Sequence, residues 1–230
     1  SGLFPCLAEK TRNPRQPPEP DGRPAPPLRD NIRQVHPIPP IERLTTPSSA
    51  RTPWQNRAMV TLTVELGDIT TCPVDAIVNA ANNAMRGGGG VDGAIHRAGG
   101  PAVLADCIAR FPQGLATGDA GWTTAGELPA RWIIHAVGPN HNAGQRDRGL
   151  LTSCYRRCLE VADDLGAASI AFPLISAGVY GWPKDDAIAA AVDTILDSPT
   201  RAERALLIAF DQATHDRIRR ALDQRTGPTV

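Results

Sequence analysis

A chain of 230 residues with 41% hydrophobic content can bury one ordinary globular core and carry an appendage besides. The formal net charge of zero hides an asymmetry: residues 1–57 hold nine Lys/Arg against five Asp/Glu (+4), and the remainder hold 15 against 19 (−4). No block of consecutive basic residues occurs, so there is no electrostatic footprint for a nucleic-acid duplex or a membrane surface.

Five cysteines, an odd number with no CxxC pair, argue against a disulfide framework and a zinc site. They fit a reducing, cytoplasmic compartment, and no apolar run reaches the roughly 20 residues of a membrane-spanning helix. The sequence opens at Ser1 rather than Met, which leaves a trimmed targeting segment open. Cys6 follows Pro5, not the small residue expected before a lipid-attachment cysteine.

Residues 1–57 contain 13 of the 22 prolines, among them Pro17-Pro18, Pro26-Pro27 and Pro39-Pro40. Each removes a backbone donor and biases its predecessor towards extended conformations, so this segment reads as a Pro-rich tail, disordered or draped. Val35, Ile38, Ile41 and Leu44 favour draping, since a solvated linker has no use for them. Residues 58–230 read as the folded domain.

From Met59 the pattern changes. Val60, Leu62, Val64 and Leu66 alternate with Thr61, Thr63 and Glu65, the period of a half-buried strand. Short apolar, β-branched runs at Asp75–Asn79, Trp132–Val137, Ser169–Pro173 and Ala205–Phe210 predict buried central strands. Helical spacing covers about 91–110, 148–166, 184–197 and 212–224. The alternation predicts an α/β fold with helices on both faces of a largely parallel sheet, where ligands sit beyond the carboxyl ends of the strands.

The segments that carry chemistry lie at those ends. After Asn79 come Ala80-Ala81-Asn82, then Gly87, Gly88, Gly89 and Gly90, leading straight into a helix at Val91. Four successive glycines cost backbone entropy, so a fold keeps them where the backbone must approach another object closely. Amide groups and a helix N-terminus facing one volume favour a phosphate or pyrophosphate. The pattern is neither GxxxxGK[ST] nor GxGxxG, and on its own it is moderately specific. Asp92 and His96, four apart, share one helix face, and a carboxylate beside a phosphate loop suits a ribose hydroxyl or a water. A second strand–loop–helix segment, Ser176-Ala177-Gly178-Val179-Tyr180-Gly181, offers further donors and an aromatic face. Two such loops can clamp a pyrophosphate from both sides. Trp182, beside the second loop, is a candidate pocket wall. Cys107, Cys154, Cys158 and His135 fit core positions, and no nucleophile triad is visible.

Gly67-Asp68-Ile69-Thr70, Asn79–Asn82, Gly87–His96, His135–Pro139 and Ser176–Gly181 together resemble the signatures of MacroD-type macrodomains, in that family's order, over residues 58 to about 224. The resemblance implies a three-layer α/β/α fold around a central mixed, largely parallel sheet, with ADP-ribose as ligand, no cofactor and no metal. It further implies that Asp68 accepts from the adenine amino group beside the Ile69 backbone. Asn82 holds hydroxyls of the distal ribose, Asn79 belongs to the ligand-binding set, and Gly87 to Val91 and Ser176 to Tyr180 enclose the pyrophosphate. Asn82 and Asp92 match the family's catalytic pair, and Tyr180 orients the distal ribose where relatives often have Phe. His96, read from its place one turn after Asp92, is a helix-face residue or supports the site from behind. The implied reaction is metal-independent hydrolysis of ester-linked ADP-ribose: O-acyl-ADP-ribose deacylation, removal of mono-ADP-ribose from acidic side chains, or both. A non-catalytic reader of ADP-ribose and an eraser of ADP-ribose on nucleic acid stay open as alternatives. The expected partners are ADP-ribosylated proteins or O-acyl-ADP-ribose, and the expected state is a monomer.

Overall fold

The computed structural model describes residues 60–227. The Pro-rich tail, Cys6 and the boundary expected between residues 57 and 58 lie outside the described residues.

Six strands form one sheet in the order β1-β6-β5-β2-β4-β3. They span Thr61–Leu66 (β1), Ala76–Ala81 (β2), Ala120–Thr124 (β3), Trp132–Val137 (β4), Ser169–Phe172 (β5) and Arg204–Ala209 (β6). All neighbours pair in parallel except β3, which runs antiparallel to β4. The sheet is therefore mixed and largely parallel, as the resemblance implies.

The period of two along each strand sorts side chains into two layers. Ala76 and Val78, Ile134 and Ala136, Ile170 and Phe172, and Ala205 and Leu207 face one side. There they pack on α3 (Arg148–Leu165), α4 (Lys184–Asp197) and α5 (Gln212–Thr226). Ile77, Ile133, Ala171, Leu206 and Ile208 face the other side and meet α1 (Gly90–Gly99) and α2 (Pro101–Arg110). Burial on both faces is why the central strands read as continuous apolar runs. Edge strand β1 buries Leu62 and Val64 and exposes Thr61, Thr63 and Glu65, hence its alternation; Leu66, expected with the buried set, is exposed at the strand's end. Buried Cys154 and Cys158 lie one turn apart on α3 and contribute to the core.

Two expectations change. The single helical stretch over 91–110 is two helices, because Gly100, at φ 75°, ends α1 and Pro101 opens α2 at the position where a missing N–H costs nothing. Strand β3 had no separate signal: its Ala-Gly-Trp-Thr-Thr sequence lacks an apolar run, and it pairs with β4 alone. No described helix is long and apolar enough to cross a membrane.

Candidate functional site

The carboxyl ends of β2, β5 and β6 open into a cleft of about 760 Å³. Its lining brings together Asp68 and Ile69, Asn82, the Gly88–Asp92 segment and the Ser176–Tyr180 loop, which are well separated in sequence. Asp68 caps the short turn Ile69–Thr71, its Oδ1 accepting from Thr70 N at 2.9 Å and from Thr70 Oγ1 at 2.8 Å.

In the first loop, Gly90 adopts φ 61°, a conformation that a residue with a Cβ holds only under strain, and this turns the chain directly into α1. Asn82 anchors the loop: its Nδ2 donates to Gly87 O at 2.8 Å and its Oδ1 accepts from Ala84 N at 3.0 Å. The second loop is fixed from beneath. Ile175 N donates to the buried Tyr155 hydroxyl at 3.0 Å, and Asn142 Nδ2 donates to Val179 O at 3.1 Å. Ser176 sits at φ 63°, and its buried Oγ has no hydrogen-bond partner among the described residues. A buried hydroxyl left in that state costs free energy that a ligand oxygen would recover.

Asp92 is 4% exposed at the start of α1. Its Oδ1 accepts from Asn79 Nδ2 at 2.7 Å and stands 3.5 Å from His96 Nε2, and its Oδ2 stands 3.5 Å from Asn82 Nδ2. Burial pushes the carboxyl above its ordinary value, opposed by the Asn79 hydrogen bond and by His96. A carboxylate raised in this way is a better proton acceptor than an exposed one. Burial, with Asp92 second, also raises the Tyr180 hydroxyl.

Three residues named from sequence stand elsewhere than expected. Asn79 does not line the cleft; it is wholly buried, because the strand's alternation turns it with Ile77 towards the α1–α2 layer. Gly87 lies against the His96 ring instead of the cleft, at 3.6 Å from where its β-carbon would be. Trp182 is buried under the second loop, its Nε1 donating to Asp186 at 2.8 Å, and forms no part of the lining. Conversely, Phe210 and Lys184 line the cleft without having been singled out. Phe210 was expected within the buried strand Ala205–Phe210, but β6 ends at Ala209 and leaves its ring 88% exposed at the cleft.

His96, Cys107 and His135 place ligand atoms within 4.8 Å of one another. Both ring nitrogens of His135 are already engaged, by Thr123 Oγ1 at 2.8 Å and Asn79 Nδ2 at 3.0 Å. Burial pushes the Cys107 thiol up to about 11, so the sulfur stays protonated. The trio is thus a packed, hydrogen-bonded floor.

An open α/β sheet with two amide-rich loops facing each other across the carboxyl ends of its strands defines a class that binds phosphorylated ligands. Comparison places the chain more narrowly: residues 78–191 match the family model described as Macro domain. A macro domain-containing protein of Streptomyces nogalater is 51% identical over 168 residues, covering 71% of this chain and 93% of the relative. An O-acetyl-ADP-ribose deacetylase of Enterobacter cloacae is 49% identical over 165 residues, 69% of this chain and 92% of its own. The Oceanobacillus iheyensis macrodomain solved with ADP superposes at TM-score 0.67 with 37% identity, over 70% of this chain and 90% of that one. A variant of it solved with ADPR gives TM-score 0.67 and 36% identity, over 74% and 95%. The chain belongs to the Macro domain family.

Proposed function

We propose that this protein binds ADP-ribose in the cleft and hydrolyses an ester at the distal ribose, O-acetyl-ADP-ribose being the test substrate. The observation that carries the reading is the convergence of Asn82 and a buried, raised Asp92 beside the amide-rich first loop, opposite Tyr180. A carboxylate beside a phosphate loop repels the pyrophosphate, and its place there supports a part in the chemistry, holding the ribose or the attacking water. The deacetylase relative and the neighbour solved with ADPR support the same ligand and reaction class.

In this reading the pyrophosphate lies between the Gly88–Val91 and Ser176–Tyr180 backbones, with Ser176 Oγ donating to it. Asp68 accepts from the adenine amino group and the exposed Phe210 ring covers the base. Asn82 holds the distal ribose hydroxyls and Tyr180 sets the sugar's orientation. A water between pyrophosphate and ribose, deprotonated by a phosphate oxygen or by Asp92, attacks the ester carbonyl. The same geometry accommodates ADP-ribose esterified to an acidic side chain of a protein.

The test is O-acetyl-ADP-ribose hydrolysis by the wild type, Asn82→Ala and Asp92→Ala, with calorimetric titration of ADP-ribose into each. Turnover by the wild type, lost in both variants while binding survives, is expected. Binding with no wild-type turnover would make the protein a reader and overturn the hydrolase.

A further inference from the structure

Beneath the cleft, buried polar side chains on three adjacent strands form a single file leading to Asp92. Asn79 on β2 and His135 on β4 are register partners, and His135 is in turn opposite Gly121 on β3, two residues from Thr123. Thr123 Oγ1 is 3.0 Å from Thr124 O and 2.8 Å from His135 Nε2, while His135 Nδ1 is 3.0 Å from Asn79 Nδ2, which reaches Asp92 Oδ1 at 2.7 Å. Thr123, Asn79, His135 and Asp92 are each 4% exposed or less.

The direction of every bond follows from the carboxylate. An ionised carboxylate only accepts, so Asn79 must turn its NH₂, not its carbonyl oxygen, towards Asp92. The same NH₂ faces His135 Nδ1, which must therefore accept, and the ring proton then sits on Nε2. That proton needs an acceptor, which Thr123 Oγ1 supplies while its own hydroxyl proton goes to Thr124 O. The arrangement leaves Asn79 Oδ1 buried with no partner among the described residues. Turning the amide over would satisfy that oxygen on a ring N–H but would place it 2.7 Å from Asp92 Oδ1, oxygen against oxygen. A fold that keeps an unsatisfied oxygen here instead gives up stability for the orientation of one amide.

We infer that Thr123 and His135 are positioning residues: they lock the Nε2–H tautomer of His135, which locks the Asn79 amide, which holds the Asp92 carboxylate aimed into the cleft. This rests on the hydrolase reading for its consequence in turnover, and on hydrogen-bond geometry alone for the tautomer and the carboxylate. Burial depresses His135 to about 3, so the ring is neutral at working pH and its tautomer is the variable. The titratable groups facing Asp92 are His96 on its own helix, Cys107 on α2, His135 on β4 by way of Asn79, and Tyr180 on the second loop.

Thr123→Val keeps the shape and removes the acceptor; Thr123→Ser keeps the hydroxyl. In ¹⁵N-edited imidazole NMR of the full chain, wild type and Thr123→Ser are expected to show His135 as the Nε2–H tautomer, and Thr123→Val a mixture or the other tautomer. The Asp92 carboxyl, followed by ¹³C titration, should move upward in Thr123→Val and recover in Thr123→Ser. For O-acetyl-ADP-ribose, kcat in Thr123→Val should fall roughly five- to tenfold, the scale of one lost buried hydrogen bond, with KM nearly unchanged. A wild-type ring that is Nδ1–H or charged at neutral pH overturns the relay even if Thr123→Val does not fold. So does an Asp92 titration indifferent to Thr123→Val. A wild type inactive on the ester defeats the hydrolase reading separately, since the NMR measurements need no turnover.

Discussion

Gly88 runs so close to Asp92 that a β-carbon on it would lie 2.9 Å from the carboxylate Oδ2 and 3.2 Å from Asn82 Nδ2. Gly88, in the loop proposed to hold the pyrophosphate, is thus also the residue that gives the proposed catalytic pair its room. Gly88 does not need a positive φ, so Gly88→Ala introduces a steric change without a conformational one. The displaced carboxylate should lower kcat by at least about tenfold, in line with the cost of small misplacements at a reacting centre. Steady-state kinetics beside a melting curve checks this: unchanged kcat at unchanged Tm would mean that Asp92 does not need its present position.

Asp92 should cost the protein stability. Its folded-state pKa is raised above the ordinary value by burial, so the folded state holds the proton more tightly than the unfolded state does. The favourable contribution is complete at pH below the unfolded carboxyl's value near 3.8 and disappears as pH rises through the folded value. Asp92→Asn, which does not titrate, should therefore melt roughly 2 °C or more above wild type at pH 7, with the difference closing below pH 4. Melting temperatures measured across pH 3–8 decide it. A variant less stable than wild type at neutral pH would mean that the Asn79 and His96 contacts outweigh desolvation.

Much of this site was legible in sequence because its residues sit where strands end, and buried strands announce their ends by the loss of apolar character. β2, β4, β5 and β6 have both faces covered, so their runs are continuous and the loops after them stand out. β3 escaped because an edge strand of five residues needs no apolar run. Asn79 shared a motif with Asn82, but the alternation of β2 turns Asn79 under the covering helices, whereas Asn82, just past the strand's end at Ala81, stays at the cleft. The Thr123–His135 file was illegible since its members meet through strand register, which one sequence does not display.

His135 should make the fold sensitive to acid. Burial, followed by the charge of His96, lowers its pKa from 6.5 to about 3, so the unfolded chain binds a proton that the folded one refuses. The sign is opposite to that for Asp92: the contribution is complete above pH 6.5 and is lost as pH falls towards 3. The slope is at most about 1.4 kcal/mol per pH unit. His135→Gln, uncharged throughout, should lose stability less steeply over that range in urea titrations. Parallel profiles for the two proteins would show that the ring takes up its proton without unfolding.

Phe210 offers a separation of binding from stability that few residues here allow. Its ring is 88% exposed and lines the cleft on the side of Asp68, Ile208 and Asp211, so removing it uncovers almost nothing in the free protein. If it lies over the base, Phe210→Ala forfeits an aromatic contact worth about 0.5–1.5 kcal/mol together with buried area, and ADP-ribose affinity should fall by roughly tenfold. The melting curve without ligand should superpose on that of wild type, and the increase in Tm on adding ADP-ribose should shrink. ADP-ribose affinity that survives the truncation would mean that the base lies elsewhere in the cleft and that the ring serves another part of the substrate, such as a conjugated protein.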